Sequence, residues 1–494
     1  MASTALTRRR LLVGAAQIAL LGSTGILVAC GSTAPRVLTS ATAGQVESVS
    51  AATPASAATT AGTPTSSVQS TAAGRTSAAT SEIASPTTAA PAHTGTTLQI
   101  SSWLVQQPSL AAYKQLFADY AKVQPAVTLG QQVISTNYAS KLTALMAGGT
   151  PPDLAETNWD ESQALAGKGA LQSLDSRISR DKIAVADYVQ TALEMGRWPQ
   201  QTGKYWAWYT MFATSPLYYN TALFQAAGEA PPDETWTWQH LVEVAQRLTK
   251  PNASPQAAQY GFDPTYFTRT MLYSFGWDFT SPDFAQCLLD SQQSLDAIQF
   301  WHDLIYKTQV SPPPGNGFAK GVPDGPFATK RLGMQINGSY LIERYRLDQG
   351  LEWDVAIPPS GPAGRRAIIK GAPGHSLPTQ SPHADQAWSF LSWWIKNQTP
   401  AQVVLPGNMP SKRTALTSYT TQQTQHNAVP AHIALVEQIA TKYGKPLQVL
   451  PDDSNATDAY AKQLALVLAN KADVHAAMSQ ACQAMMGIIQ QAPH

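Results

Sequence analysis

Apolar positions along this chain alternate between two spacings. Leu98 and Ile100, followed by Ser101, Ser102 and Trp103, read as a first strand; Leu110, Tyr113, Phe117 and Tyr120 then recur at helical spacing. Val127, Leu129 and Val133 suggest a second strand, and Tyr138, Leu142 and Leu145 a helix stopped at Gly148 and Gly149. Strands alternating with helices predict parallel α/β units. The rest of the chain is organised around the stretch 203–228, which packs Tyr205, Trp206, Trp208, Tyr209, Tyr218 and Tyr219 into a short span. It reads as an extended crossing segment, and Leu223 to Gly228 as a short helix stopped by glycine. Thr237 is a good N-cap, with Leu241, Val244, Ala245 and Leu248 on one helical face behind it. Tyr260 to Phe262 starts a strand, Phe275-Gly276-Trp277 ends a helical run, and Ala387 to Trp394 is a further helix. From about Asp452 the chain reads as helical, with Tyr460, Leu464 and Val467, then Val474, Met478, Cys482 and Met485.

The pattern is different before residue 96. Arg8-Arg9-Arg10 precedes an apolar run from Leu11 to Ala29, an n-region and h-region that predict a signal peptide over residues 1–29. The run closes Leu27-Val28-Ala29-Cys30, which resembles a bacterial lipobox; the resemblance implies cleavage before Cys30 and a lipid on its sulfur. Thr7-Arg8-Arg9 ahead of Leu11-Leu12 also resembles a twin-arginine signal, so two export routes stay open. An uncleaved membrane anchor is the alternative, since the run is just long enough to span. Either way the bulk of the chain is expected outside the cytoplasm, at the outer face of the cell membrane. Residues 30–95, mostly Ala, Thr and Ser after Cys30, cannot bury enough apolar surface to fold and predict a disordered tether. Such a chain spans roughly 40–50 Å root-mean-square.

The 494 residues suffice for two or more domains. A net charge of +1, with only 13% charged residues, leaves no basic face and argues against a nucleic-acid partner. Thirteen Trp and seventeen Tyr are many; aromatics fill cores but also stack on the apolar faces of sugar rings. Three cysteines make no disulfide framework. Cys482 on an apolar helix face and Cys287 before Leu288-Leu289 read as core residues; a disulfide between the two stays open, without support from the sequence. Gly374-His375-Ser376-Leu377-Pro378 falls one residue short of a serine-hydrolase elbow, with Pro378 in place of the last glycine. The nine His show no metal-binding spacing, and no phosphate-binding glycine loop occurs, so neither metal nor cofactor is expected. A glycosidase would need two facing carboxylates, which the sequence does not exclude.

One ordered string of motifs narrows the reading. Gly203-Lys204-Tyr205, the crossing segment, Tyr218-Tyr219-Asn220, Leu223-Phe224, Ala227-Gly228, Pro231-Pro232 and Thr235-Trp236 follow Tyr138, Lys141 and Leu142, the Thr150-Pro151-Pro152-Asp153 turn and Lys168 to Asp175. They precede residues 327–340, Trp353 to Pro362, Lys370 to Gly374 and Pro406 to Ser411. In this order they closely resemble the carbohydrate-type (family 1) extracellular solute-binding proteins of ABC transporters. The resemblance covers about 96–490. It implies a two-lobed, periplasmic-binding-protein-like α/β fold with the ligand cleft between the lobes. Lobe 1 would comprise 96–211 and 374–415, and lobe 2 would comprise 212–373 and 416–494. It further implies a monomer that captures a sugar and delivers it to permease subunits, with no bond broken. Asp160, seven residues after Asp153, stands where the family has a sugar-binding aspartate, with Trp159 beside it. Tyr266, in Pro-Thr-Tyr-Phe-Thr, matches a stacking tyrosine of maltose-binding members, and Tyr340 stands where the family has its main stacking tryptophan. Trp103 at the end of the first strand, Trp208, Tyr209, Trp277 and the Gly371 backbone complete the candidate set. The sequence departs from the maltose binders at Met211-Phe212-Ala213, where they place an acid, and at Gln106-Gln107. Another solute (glycerol-phosphate or a polyol), a sensor that never transports, and an extracytoplasmic carbohydrate-active enzyme remain as rivals.

Overall fold

A computed structural model describes residues 95–492 apart from 105, 106, 201, 202, 266, 267, 323, 324, 372, 427 and 428. The signal-peptide and tether expectations, Cys30 and Tyr266 therefore lie outside the described residues.

The alternating pattern produces a first sheet in the strand order 127–133, 96–102, 154–157, 374–378, 171–172, with strand 208–209 also paired to 374–378. The first three run parallel, as βα units dictate, and Gly374–Pro378 enters antiparallel from far along the chain. Helices Gln107–Ala121 and Ala384–Lys396 cover this sheet. Tyr113, Leu116 and Tyr120 of one meet Trp388, Phe390, Leu391 and Trp394 of the other in one core cluster. Emptying one such position, as in Leu391→Ala, costs about 2–5 kcal/mol.

A second sheet has the order 260–263, 332–336, 217–220, 353–356. Its two faces follow from the two-residue period of strand Leu217–Asn220. Leu217 and Tyr219 enter the cluster built with helices Trp238–Leu248, Gln292–Tyr306 and Val474–Ile489, whereas Tyr218 enters the opposite one with Phe327, Tyr345 and Trp353. A third sheet, 409–410, 211–214, 367–371, 444–446, links these two. The organising stretch runs through all three: Trp208–Tyr209 in the first, Met211–Thr214 in the third, Leu217–Asn220 in the second. Its aromatics are buried to match, with Trp208, Tyr209 and Tyr218 fully enclosed. The helix after it spans Thr221–Ala227; the Asn220 side chain accepts the Leu223 N–H at 3.0 Å, and Gly228 ends it at φ 70°. Thr237 caps helix Trp238–Leu248 by accepting the His240 N–H at 3.2 Å.

One alternative that the sequence leaves open is decided. Cys287 and Cys482 are not separate core thiols; they form a disulfide with Cα atoms 5.7 Å apart. The partners lie 195 residues apart, so sequence proximity gave no sign of the bond. It ties the irregular segment after helix Thr268–Ser274 to the last helix.

Candidate functional site

Three helices bring charged and aromatic side chains together between the first two sheets. Helix Trp159–Gly167 follows strand Leu154–Thr157 of the first sheet. Its first turn is fixed by a capping box in which Glu161 accepts the Asn158 N–H at 2.9 Å. That leaves Trp159 and Asp160 at the start of the helix, half-buried. Helices Thr268–Ser274 and Asp453–Leu468 belong to the other side. Along the latter, Asp453, Thr457, Tyr460 and Leu464 recur at helical spacing and form one stripe: acid, hydroxyl, aromatic, aliphatic. The stripe, Trp159, Thr265, Thr268, Arg269 and Leu447 line a cavity of about 480 Å³.

Arg269 is the electrostatic centre. Burial lowers its pKa, and Asp453, Tyr460, Asp278 and Asp160 oppose that shift. Its guanidinium carbon lies 4.7 Å from the centre of the Phe279 ring. Burial pushes the Asp453 carboxyl up to about 6, against the stabilising charge of Arg269, and Asp160 adds to the rise. Asp278 is likewise pushed up to about 6 by burial, opposed by the Phe279 N–H, Arg365 and Arg269. Acids from both sides of the cavity thus feel one guanidinium. Such a set can donate and accept hydrogen bonds in pairs, which suits vicinal hydroxyls.

The sequence-predicted residues fall into three groups. Trp159 lines the cavity, Asp160 acts electrostatically on its Arg269, and Tyr340 packs against the same two core clusters as Trp159. The Tyr340 hydroxyl donates to Asn337 Oδ1 at 3.3 Å, and Gly407 at φ 76° packs against its backbone where a Cβ would meet Tyr340 Cα at 2.6 Å. Trp103 is half-buried on the first-sheet side. Its N–H donates to Glu156 Oε2 at 3.2 Å and its ring meets Tyr138 edge-on at 5.0 Å. Glu156 is fully enclosed, takes a hydrogen bond from the Tyr113 hydroxyl, and is pushed up to about 7 by burial. The Gly371 backbone lies in the connecting sheet, paired with Phe212.

Trp208, Tyr209 and Trp277 differ from expectation. Trp208 packs edge-on against Tyr188 at 5.0 Å, and Tyr209 fills the space that a side chain at Gly374 would need. Trp277 lies 5.7 Å from Tyr460, one layer behind the cavity wall. These aromatics come from apolar strand and turn contexts, where core packing wins over exposure. Arg269, Asp278, Asp453 and Thr457 were not anticipated. The helix that carries Asp453 and Tyr460 is legible in the spacing of Tyr460, Leu464 and Val467, but its acid is not. Ser376 is buried in a central strand with its Oγ 2.9 Å from Thr157 Oγ1, and burial pushes the neighbouring His375 down to about 3, so this triplet forms no nucleophile elbow.

Comparison with known proteins agrees with this architecture. A family profile described as bacterial extracellular solute-binding protein matches residues 105–399. The Escherichia coli (strain K12) protein YcjN, assigned to the periplasmic-binding components of ABC transporters, is 20% identical over 254 residues. That match covers 50% of this chain and 57% of YcjN, so the chain spans little more than half of the curated relative. Among solved structures, the ABC substrate-binding protein Lmo0181 of Listeria monocytogenes, in complex with cycloalternan, superimposes with a TM-score of 0.68 at 20% identity, over 79% of this chain and 98% of that one. The cyclic alpha-maltosyl-1,6-maltose binding protein of Arthrobacter globiformis gives 0.66 at 21%, over 80% and 99%. UgpB of Mycobacterium tuberculosis, in complex with glycerophosphocholine, gives 0.65 at 17%, over 80% and 98%. At these identities the likeness establishes the two-lobed fold.

Proposed function

Because this chain belongs to the bacterial extracellular solute-binding protein family, we propose that it captures a neutral sugar or oligosaccharide between its lobes and presents it to the permease of an ABC importer. The observation that carries the reading is the cavity of about 480 Å³ lined by the aromatics Trp159 and Tyr460 beside Arg269 and Asp453, with Asp160 within electrostatic reach. Flat aromatic rings match the apolar faces of a pyranose, and a guanidinium flanked by carboxylates matches its hydroxyls. Groups from both lobes face the cavity, so a ligand that engages both favours the closed arrangement, which the permease then recognises. Tyr266 and Tyr340 are assigned to the same site by family resemblance. The chain holds three cysteines and two of them bond to each other, which leaves Cys30 for the lipid that anchors the mature protein to the outer face of the membrane.

A second reading, a phosphorylated polyol, draws support from the glycerophosphocholine complex of UgpB and from the Arg269 guanidinium. The carboxylates Asp160, Asp278 and Asp453 around that guanidinium disfavour a negatively charged phosphate group. A thermal-shift screen of the mature protein against neutral oligosaccharides and glycerophosphodiesters decides between them, since a ligand of the native state raises the melting temperature by mass action. Stabilisation by oligosaccharides alone is expected; stabilisation by the phosphodiesters alone would overturn the sugar assignment. Release of a shorter sugar from a stabilising oligosaccharide would make the protein an enzyme.

A further inference from the structure

Outside the cavity, one short hairpin bridges the two sides. Strand Arg197–Trp198 pairs with Lys204–Tyr205 next to the first sheet. The hairpin is stiffened by the Gly203 N–H donating to the Pro199 carbonyl at 2.7 Å, and by Arg197 donating from Nε to the Gly203 carbonyl at 3.0 Å. Gly203 is required there: a Cβ would stand 1.9 Å from the Trp198 carbonyl oxygen. From this base Trp198 reaches Phe284 and stacks on it, ring centres 5.6 Å apart and planes 28° apart. Gln200 follows, donating from Nε2 to the Leu447 carbonyl at 2.9 Å.

Both partners of the hairpin are anchored on the far side. Phe284 sits at φ 59° in the irregular segment between helices Thr268–Ser274 and Gln292–Tyr306, a left-handed backbone that a bulky residue adopts only when its surroundings hold it. Three residues on, Cys287 bonds to Cys482 of the last helix. Gln448 secures the same segment, accepting the Thr280 N–H at 3.2 Å and donating to the Thr280 carbonyl at 3.1 Å. Gln448 adjoins Leu447, which lines the ligand cavity. Trp198 also lines two further cavities, of about 660 and 790 Å³. It is thus a large aromatic with space around it, and among the described residues its ring stacks on Phe284.

We propose that Trp198 is a positioning residue for ligand capture: its stack on Phe284 clamps the lobes in the ligand-holding arrangement, and the Cys287–Cys482 bond keeps Phe284 in place to receive it. The inference rests on the reading that the ligand sits between the lobes. It makes affinity depend on a contact that touches no ligand, and on the oxidation state of a bond remote from the cavity.

The test uses the mature chain carrying fluorophores at exposed Val123 and Lys307, one on each side, attached through unnatural side chains so that the cysteines are untouched. Trp198→Ala and Phe284→Ala should each lower transfer efficiency in the unliganded protein and weaken binding of the best oligosaccharide from the screen by about 2- to 10-fold, the range of one aromatic pair. The double variant should lose no more than either single one, because both remove the same contact. Trp198→Phe, which can still stack, should restore most of the affinity. Dithiothreitol, or Cys287→Ser with Cys482→Ser, should shift both readouts in the same direction. Unchanged transfer efficiency in Trp198→Ala, or losses that add fully in the double variant, would overturn the proposal. If the wild-type protein binds no carbohydrate, the functional reading fails, while the fluorescence measurement still decides on the clamp.

Discussion

The guanidinium of Arg269 lies over the ring of Phe279, 4.7 Å from its centre, so an aromatic face holds from behind the charge that the cavity presents in front. Among the described residues Arg269 makes no close ion pair, and its charge is balanced at longer range by Asp453, Asp278 and Asp160.

Arg269→Met should therefore reduce oligosaccharide affinity by about 10- to 100-fold, equivalent to roughly 1.5–3 kcal/mol for a charged hydrogen bond. Arg269→Lys should recover only part, since a point charge replaces a planar fork. Calorimetric titration measures both. Wild-type affinity in Arg269→Met would remove this residue from the site.

Affinity should also depend on pH through Asp453, which titrates at about 6. If the ionised carboxylate accepts ligand hydroxyls, binding is level from pH 8 to 7 and about tenfold weaker at pH 5, where one carboxylate in ten is ionised. Asp453→Asn should bind more weakly at pH 7.5 and show a flatter profile. A profile as steep as that of the wild type would place the titration elsewhere.

Glu156 makes a stability prediction of defined sign. Its folded pKa of about 7 lies above the unfolded carboxylate value, so the folded state binds the extra proton between the two. Its contribution is greatest below the unfolded pKa and is lost as pH rises through 7. Replacing Glu156 with Gln removes the buried charge, so the melting-temperature difference, variant minus wild type, should be more favourable at pH 8 than at pH 5. An equal difference at both values would show that Glu156 does not titrate in the folded protein.

Reduction of Cys287–Cys482 should lower the melting temperature. The bond spans 195 residues, and a loop of that size is worth on the order of 2–5 kcal/mol. Thermal denaturation with and without dithiothreitol reads the difference directly. No shift would mean that the unfolded chain is restrained in some other way.

Tyr340→Ala should cost about 1–3 kcal/mol of binding, by analogy with bases stacked on aromatic side chains, and less stability than loss of a fully enclosed ring, since Tyr340 is only partly buried against the core. Trp277→Ala should do the reverse first: about 3–5 kcal/mol of stability, with affinity falling only through the displaced Tyr460. Chemical denaturation alongside titration separates the two. Equal effects of both variants on both measurements would erase the distinction between wall and core.

Periodicity made the scaffold legible. The strand pattern of 96–133, the glycine stop at Gly228 and the Thr237 cap all stand in the structure, because each depends on a few neighbouring residues; the helix before Gly228 starts at Thr221, two residues earlier than its pattern suggests. The site was legible only in part. Asp160 is suggested by its distance from Asp153 and lies within electrostatic reach of Arg269. Arg269 and Asp278 escaped because nothing local distinguishes a buried arginine from a surface one; their role comes from helix Asp453–Leu468, whose own signal lies nearly two hundred residues away. Aromatic density misled for the same reason. It identifies rings that must be covered, but not whether protein or ligand covers them, and Trp208 and Trp277 are covered by protein.

The first sheet has one strand out of sequence. Gly374–Pro378 lies between Leu154–Thr157 and Leu171–Gln172, so the residues on either side of it are made some two hundred positions before it exists. Until it arrives, the strand 154–157 has an open edge and Ser376 cannot meet Thr157. A partly synthesised chain therefore cannot complete its first lobe, however long it waits. The first sheet thus closes only once the chain has been made through Pro378, whichever export route it takes.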